Sequence, residues 1–223
     1  MRDGHRIFDA AFPEERMREH LYPAETTALL IVNPYNDSLS EGGKRFEATR
    51  HVAATIGFYA KLRRLIPAVR AAEILVVIVP HARWRADDVD GRRYPTPAQR
   101  LADADRLYEE GSWGGAFHAE FGPKPGDVVA QEHRGLNGFV DTDLDWQLRR
   151  RGIEHVICVG VGANTCVEGT ARHATELGYH VTLVIDATVA ADIDSMRAAH
   201  MTNGPHYAHA ILKTDEVIGG LPA

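Results

Sequence analysis

Cysteine is scarce in this chain, with two in 223 residues, Cys158 and Cys166. That number cannot build a disulfide framework, so a reducing cytoplasm is the expected setting. Long apolar runs are missing too. None approaches the roughly 20 residues a membrane-spanning helix requires, and Met1-Arg-Asp-Gly-His-Arg lacks the apolar core of a signal peptide. Nor is there a basic stripe: the net charge is −6. The densest basic cluster, Arg83, Arg85, Arg92 and Arg93, is interleaved with Asp87, Asp88 and Asp90. A nucleic-acid partner and a membrane are therefore not expected. Internal repeats and low-complexity segments are also lacking. What is present, 44% hydrophobic residues over 223 positions, suffices for one sizeable α/β domain. Residues 1–26 are polar and read as an N-terminal arm with a short helix around Pro13 to Glu19, leaving 27–223 as the domain.

Strand and helix patterns alternate through that domain. Thr27 to Val32 is a continuous apolar strand closed by the turn-rich Asn33-Pro-Tyr-Asn-Asp37. Phe46 to Ala72 carries apolar residues at helical spacing and reads as one long helix; Glu73 to Val79 is a second buried strand. About 45 residues of irregular character follow, from His81 to Pro125, a connection long enough to suggest function. Asp127 to Ala130 reads as a short strand, and Thr142 to Arg151 as a helix with Thr142 as its N-cap. A strand at His155 to Val159, a helix from Cys166 to Gly178 and a strand at His180 to Ile185 come next. A helix from Ile193 to Thr202 and a strand at Ala208 to Leu212 complete the pattern. Strands apolar on both faces predict a three-layer αβα architecture, a mainly parallel sheet of about six strands with helices on both faces. Ligands of such sheets bind beyond the carboxyl ends of the strands, where Asn33, His81, His133 and Cys166 all fall.

Cys166 has the best position for chemistry. It sits where the strand ending in Val161 gives way to helical spacing at Val167, Thr170, Ala171 and Ala174. Backbone N–H groups at a helix start favour a thiolate and can hold the oxyanion of an acyl intermediate. A cysteine is also a common small core residue, the expected role of Cys158. The glycines of Gly160-Val-Gly162 suggest a dinucleotide fingerprint, but Thr165 occupies the third glycine position.

The run Gly160-Val-Gly-Ala-Asn-Thr-Cys166-Val-Glu168, the first-strand segment Ala28 to Asp37 and Gly138-Phe-Val-Asp-Thr-Asp-Leu-Asp145 occur in this order. Together they resemble landmarks of the isochorismatase-like cysteine hydrolases, which include nicotinamidase and N-carbamoylsarcosine amidase. The resemblance covers about residues 27 to 214. It implies a hydrolase of a small amide, ureido or imide C–N bond, with an acyl-enzyme on Cys166 and no organic cofactor. It also implies a cis peptide between Val161 and Gly162, with the Gly162 and Cys166 N–H groups as oxyanion hole, and a homodimer or homotetramer. An isochorismatase-type vinyl-ether hydrolase is the alternative, although relatives of that kind normally lack the cysteine.

The resemblance further implies an aspartate after the first strand and a lysine after the third, positions held here by Asn33 and His133. An amide cannot accept a proton from a thiol. Three explanations stay open. His133 serves as the base with Asn33 orienting it; or a carboxylate (Asp37, Glu41 or Glu132) has taken over; or an Asp-to-Asn change has left a catalytically impaired, ligand-binding member. The last is the simplest single change. Some relatives hold a metal near the second strand, but His81 has no partner at close spacing, so no metal is expected. Trp84, Trp113 and Phe139 are candidates for the wall of a small-molecule substrate pocket. Asp37 is a candidate brace for the first motif and a candidate substrate-binding residue, and Lys44 is a candidate for a substrate carboxylate.

Overall fold

The computed structural model describes residues 22–86 and 93–222. The short helix expected around Pro13 to Glu19, and most of the mixed-charge stretch near Asp87, lie outside them.

Six strands form one parallel sheet in the order β3-β2-β1-β4-β5-β6. They are β1 (Thr27–Val32), β2 (Leu75–Val79), β3 (Val128–Val129), β4 (His155–Val161), β5 (His180–Val189) and β6 (Ala210–Leu212). The helices are α1 (Asn36–Leu39), α2 (Phe46–Ile56), α3 (Phe58–Ala71), α4 (Pro97–Ala104), α5 (Leu144–Arg149), α6 (Glu168–Glu176), α7 (Ile193–Arg197) and α8 (Thr214–Gly219). Alternating residues of each strand serve opposite faces. Leu29 and Ile31 of β1 join a core with Phe58, Leu62 and Leu65 of α3, Met196 of α7 and Val217 of α8. Ala28, Leu30 and Val32 join the other core, with Leu144 and Leu148 of α5 and Ala171 and Ala174 of α6. The result is the three-layer αβα arrangement that strands apolar on both faces predict. Tyr22, at the end of the segment read as an arm, is buried, and its hydroxyl bonds Thr182 Oγ1 at 3.1 Å.

Several element boundaries differ from the sequence reading. The long helix over Phe46 to Ala72 is two helices, because Gly57 adopts φ +71° and closes α2 as its C-cap. Glu73 also has positive φ, so the second strand starts at Leu75. The long connection after β2 is not wholly irregular: Thr96 and Gln99 form a capping box that starts α4. Asp143 holds the cap position of α5 without a side-chain cap bond, while Thr142 Oγ1 accepts from Leu144 N at 3.3 Å and donates to Gly138 O at 2.6 Å. Strand β4 runs on to Val161 and β5 to Val189. Gly160 lies so close to β1 that a Cβ there would collide with the Val32 carbonyl. The chain reverses its order across the sheet between β1 and β4, and their carboxyl ends therefore frame the crevice.

Candidate active site

Asn33 is the first residue beyond β1 and takes φ +54°, a left-handed conformation that asparagine tolerates. Its backbone N–H donates to Val79 O at 3.0 Å. Its side chain is spent on both sides: Nδ2 donates to Val161 O at 3.0 Å, and Oδ1 lies 3.2 Å from His133 Nε2. His133 follows β3 and is fully buried, stapled to the end of β2 through Pro80 O and Ala82 N. Its Nδ1 lies 2.8 Å from Gly135 O, and its ring meets His81 edge to face at 5.1 Å. Two oxygen neighbours favour an imidazolium, but no carboxylate supports one. Burial, reinforced by the neighbouring His81, pushes His133 down to about 3. It is a neutral ring at physiological pH.

Cys166 comes from the other side of the crevice. The Val161–Gly162 peptide is cis. A π-helical turn, Ala163–Val167, then carries the cysteine, and regular α6 starts only at Glu168. The expected thiolate-favouring position is thus modified. Burial raises the Cys166 thiol, and hydrogen bonds from Asn33 and Thr165 and its own N–H offset part of that rise. The resting group is a thiol, with Asn33 placed to stabilise the thiolate when it forms. Cys158, fully buried on β4, is pushed up to about 12 by burial alone.

A cavity of about 680 Å³ opens over these residues. Asn33, Gly162, Cys166 and Trp84 line it, as do His81, Tyr108 and Arg45. His133 does not; it lies behind Asn33. The other sequence candidates sit elsewhere, each for a local reason. Asp37 is buried, accepting from Lys44 N at 3.1 Å and Tyr108 N at 2.8 Å, and so ties the first motif to the long connection. Lys44 Nζ donates to Arg106 O at 2.6 Å. Trp113 is 55% exposed, and its carbonyl accepts from Asn36 Nδ2. Phe139 is buried in the α5–α6 core, stacked on His173 and Tyr179. Glu132 is an ion-pair partner of Arg83 and Arg85, not a group facing the thiol. The sequence reading passed over Arg45 and Tyr108. Tyr108 stacks on Tyr35 at 4.4 Å and adopts φ +57°, neither of which leaves a trace in the sequence.

A family model described as the isochorismatase domain matches residues 27–216. The chain is 32% identical over 193 residues to the ureidoacrylate amidohydrolase RutB of Yersinia enterocolitica, covering 82% of this chain and 83% of that protein. It is also 32% identical over 176 residues to the RutB of Variovorax paradoxus, covering 74% and 69%. Among solved structures, a cysteine hydrolase from Pseudomonas syringae superposes with a TM-score of 0.74 at 22% identity, covering 92% of this chain and 95% of that one. That likeness concerns the fold. N-carbamoylsarcosine amidase from Thermoplasma acidophilum superposes with a TM-score of 0.64 at 28% identity, covering 85% and 97%. With its family model spanning nearly all of the described domain, the chain belongs to the isochorismatase family.

Proposed function

We propose that the chain is a cysteine-dependent amidohydrolase that cleaves the C–N bond of a small ureido or amide compound. The observation that carries this reading is Cys166 in the wall of the cavity over the β1–β4 switch point, with Asn33 and Gly162 beside it. Relatives named ureidoacrylate amidohydrolase and N-carbamoylsarcosine amidase support the bond type.

In this reading Cys166 Sγ attacks the carbonyl carbon, and the Gly162 and Cys166 N–H groups hold the oxyanion. The thiol proton passes to His81, the one imidazole among the described residues that lines the cavity. Its Nδ1, 2.9 Å from Ala82 O, is the donating nitrogen, so Nε2 is the basic one. His81 then returns the proton to the departing nitrogen as the C–N bond breaks, leaving on Cys166 a thioester from an amide or a thiocarbamate from a ureido compound. Water, deprotonated by the same imidazole, attacks that carbonyl, and the proton ends on the sulfur. Asn33 donates to the developing thiolate, and its donation to the Val161 carbonyl holds the amide in place. The protein acts as a homodimer or homotetramer on a small-molecule substrate.

Cys166→Ala should abolish hydrolysis of a panel of ureido and amide compounds while leaving the melting temperature near that of the parent. Iodoacetamide should label Cys166 before Cys158. A Cys166→Ala protein that still turns over substrate sinks the reading. His81→Gln should lower kcat by roughly the 10²–10⁴-fold expected of a positioned base.

A further inference from the structure

The charge around the cavity is lopsided. Five arginines line it, Arg45, Arg83, Arg85, Arg100 and Arg134, against one carboxylate, Asp103. That carboxylate accepts from Trp84 Nε1 at 2.9 Å. Arg83 and Arg85 are offset by Glu132 and Glu110. Arg100 is tied to the Pro95 carbonyl, which carries no charge.

Arg45 differs from these. It stands at the N-cap position of α2, fixed through its backbone N–H to Asp37 O at 2.8 Å. Its guanidinium makes no hydrogen bond or ion pair with another described residue. It is half-buried in the cavity wall. Tyr108 is buried in the wall of the same cavity that Cys166 and Arg45 line. Its hydroxyl bonds Ser38 Oγ at 2.6 Å, and Ser38 lines the cavity as well.

An uncompensated guanidinium in a concave, partly desolvated wall recognises a planar anion through paired N–H donors. We propose that Arg45 is the specificity residue that binds a carboxylate on the substrate, so that the compounds cleaved at Cys166 are ureido or amide acids rather than neutral amides. The inference rests on the cavity being the substrate site. Lys44, which the sequence nominated for this role, is tied to Arg106 O, and the residue after it faces the cavity instead.

The probes are N-carbamoyl-β-alanine and N-carbamoylglycine, each paired with its methyl ester. Affinities are measured by calorimetry on Cys166→Ala, and turnover on the parent. Each acid should bind at least tenfold more tightly than its ester. Arg45→Gln in the Cys166→Ala background should remove most of that difference, and Arg45→Lys should fall between. In the turnover assay Arg45→Gln should raise KM for the acids by roughly 10- to 100-fold, the range of one charge-assisted hydrogen-bonded pair, with kcat changed far less. Arg64→Gln, an exposed arginine paired with Asp215, is the control and should alter neither quantity. Equal affinity for acid and ester, failure of both acids to bind, or a preference that survives Arg45→Gln overturns the assignment. Turnover by Cys166→Ala would instead sink the nucleophile and leave the affinity comparison standing.

Discussion

At position 33 an amide and a carboxylate differ in one atom, and the structure makes that atom matter. Asn33 Nδ2 donates to the Val161 carbonyl at 3.0 Å while Oδ1 faces His133. A carboxylate there sets an oxygen against an oxygen and loses the donor toward the thiol. Asn33→Asp alone should therefore lower the melting temperature, by an amount equivalent to roughly 1–3 kcal/mol, and lower turnover as well. The family resemblance implies an aspartate and a lysine, groups of opposite charge, at the positions where this chain sets Asn33 against a neutral His133. Asn33→Asp with His133→Lys should accordingly be less damaging than Asn33→Asp alone. Higher turnover in the single Asn33→Asp variant would show instead that the chain is an impaired enzyme awaiting its base. The places of Asn33 and Cys166 were legible because each lies within a few residues of a buried strand's end, whereas Gly162 came from the family resemblance. Asp37 braces the first motif as its place in that motif suggested, but Lys44, Trp113 and Phe139 were not legible, since the direction of a loop side chain depends on partners far away in sequence, such as Arg106.

Between residue and fold, the elements around the crevice are pinned by buried polar groups. The sheet was legible because its strands are apolar on both faces, and helix ends were less so where a single Gly57 or an extra turn decides them. The segment after α7 is one such case: a π-helical stretch, Ala198–Asn203, replaces regular helix. Its His200 donates from Nδ1 to Met196 O at 2.9 Å and accepts at Nε2 from Thr188 Oγ1 at 2.9 Å, joining this turn to β5. Burial pushes His200 down to about 4, as it pushes His133 down to about 3. Both folded-state values lie below the ordinary 6.5 of the unfolded chain, so the unfolded state binds more protons between them. The stability these neutral rings confer is complete above pH 6.5 and is lost as the pH falls below it toward the folded values. At pH 4.5 each ring should cost on the order of 2–3 kcal/mol relative to pH 7.5. Urea unfolding across this range should show the loss, and His200→Gln should remove about half of the histidine part. A His200→Gln protein as acid-sensitive as the parent would count against it.

For the molecule as a whole, part of the exposed apolar surface falls in one stretch of sequence. Leu136, Val140 and Trp146 are 55%, 50% and 58% exposed, and all three fall in the stretch between β3 and β4. Arg150 lies over the Trp146 ring at 4.5 Å, but a cation–π contact at an exposed site leaves much of an indole wet. Exposed apolar residues grouped in one segment suit an interface between copies of a chain, and closed symmetric pairing would cover the same stretch on both. The sequence suggested oligomerisation through the family resemblance and the apolar residues of the arm and long connection, but which apolar residues stay outside depends on how the helices pack. Light scattering at micromolar concentration should return a dimer or a tetramer. Trp146→Lys should shift that equilibrium toward monomer without lowering the melting temperature of the monomer, since the side chain is not part of either core. A clean monomer in the parent would exclude self-association. A dimer indifferent to Trp146→Lys would move the interface elsewhere.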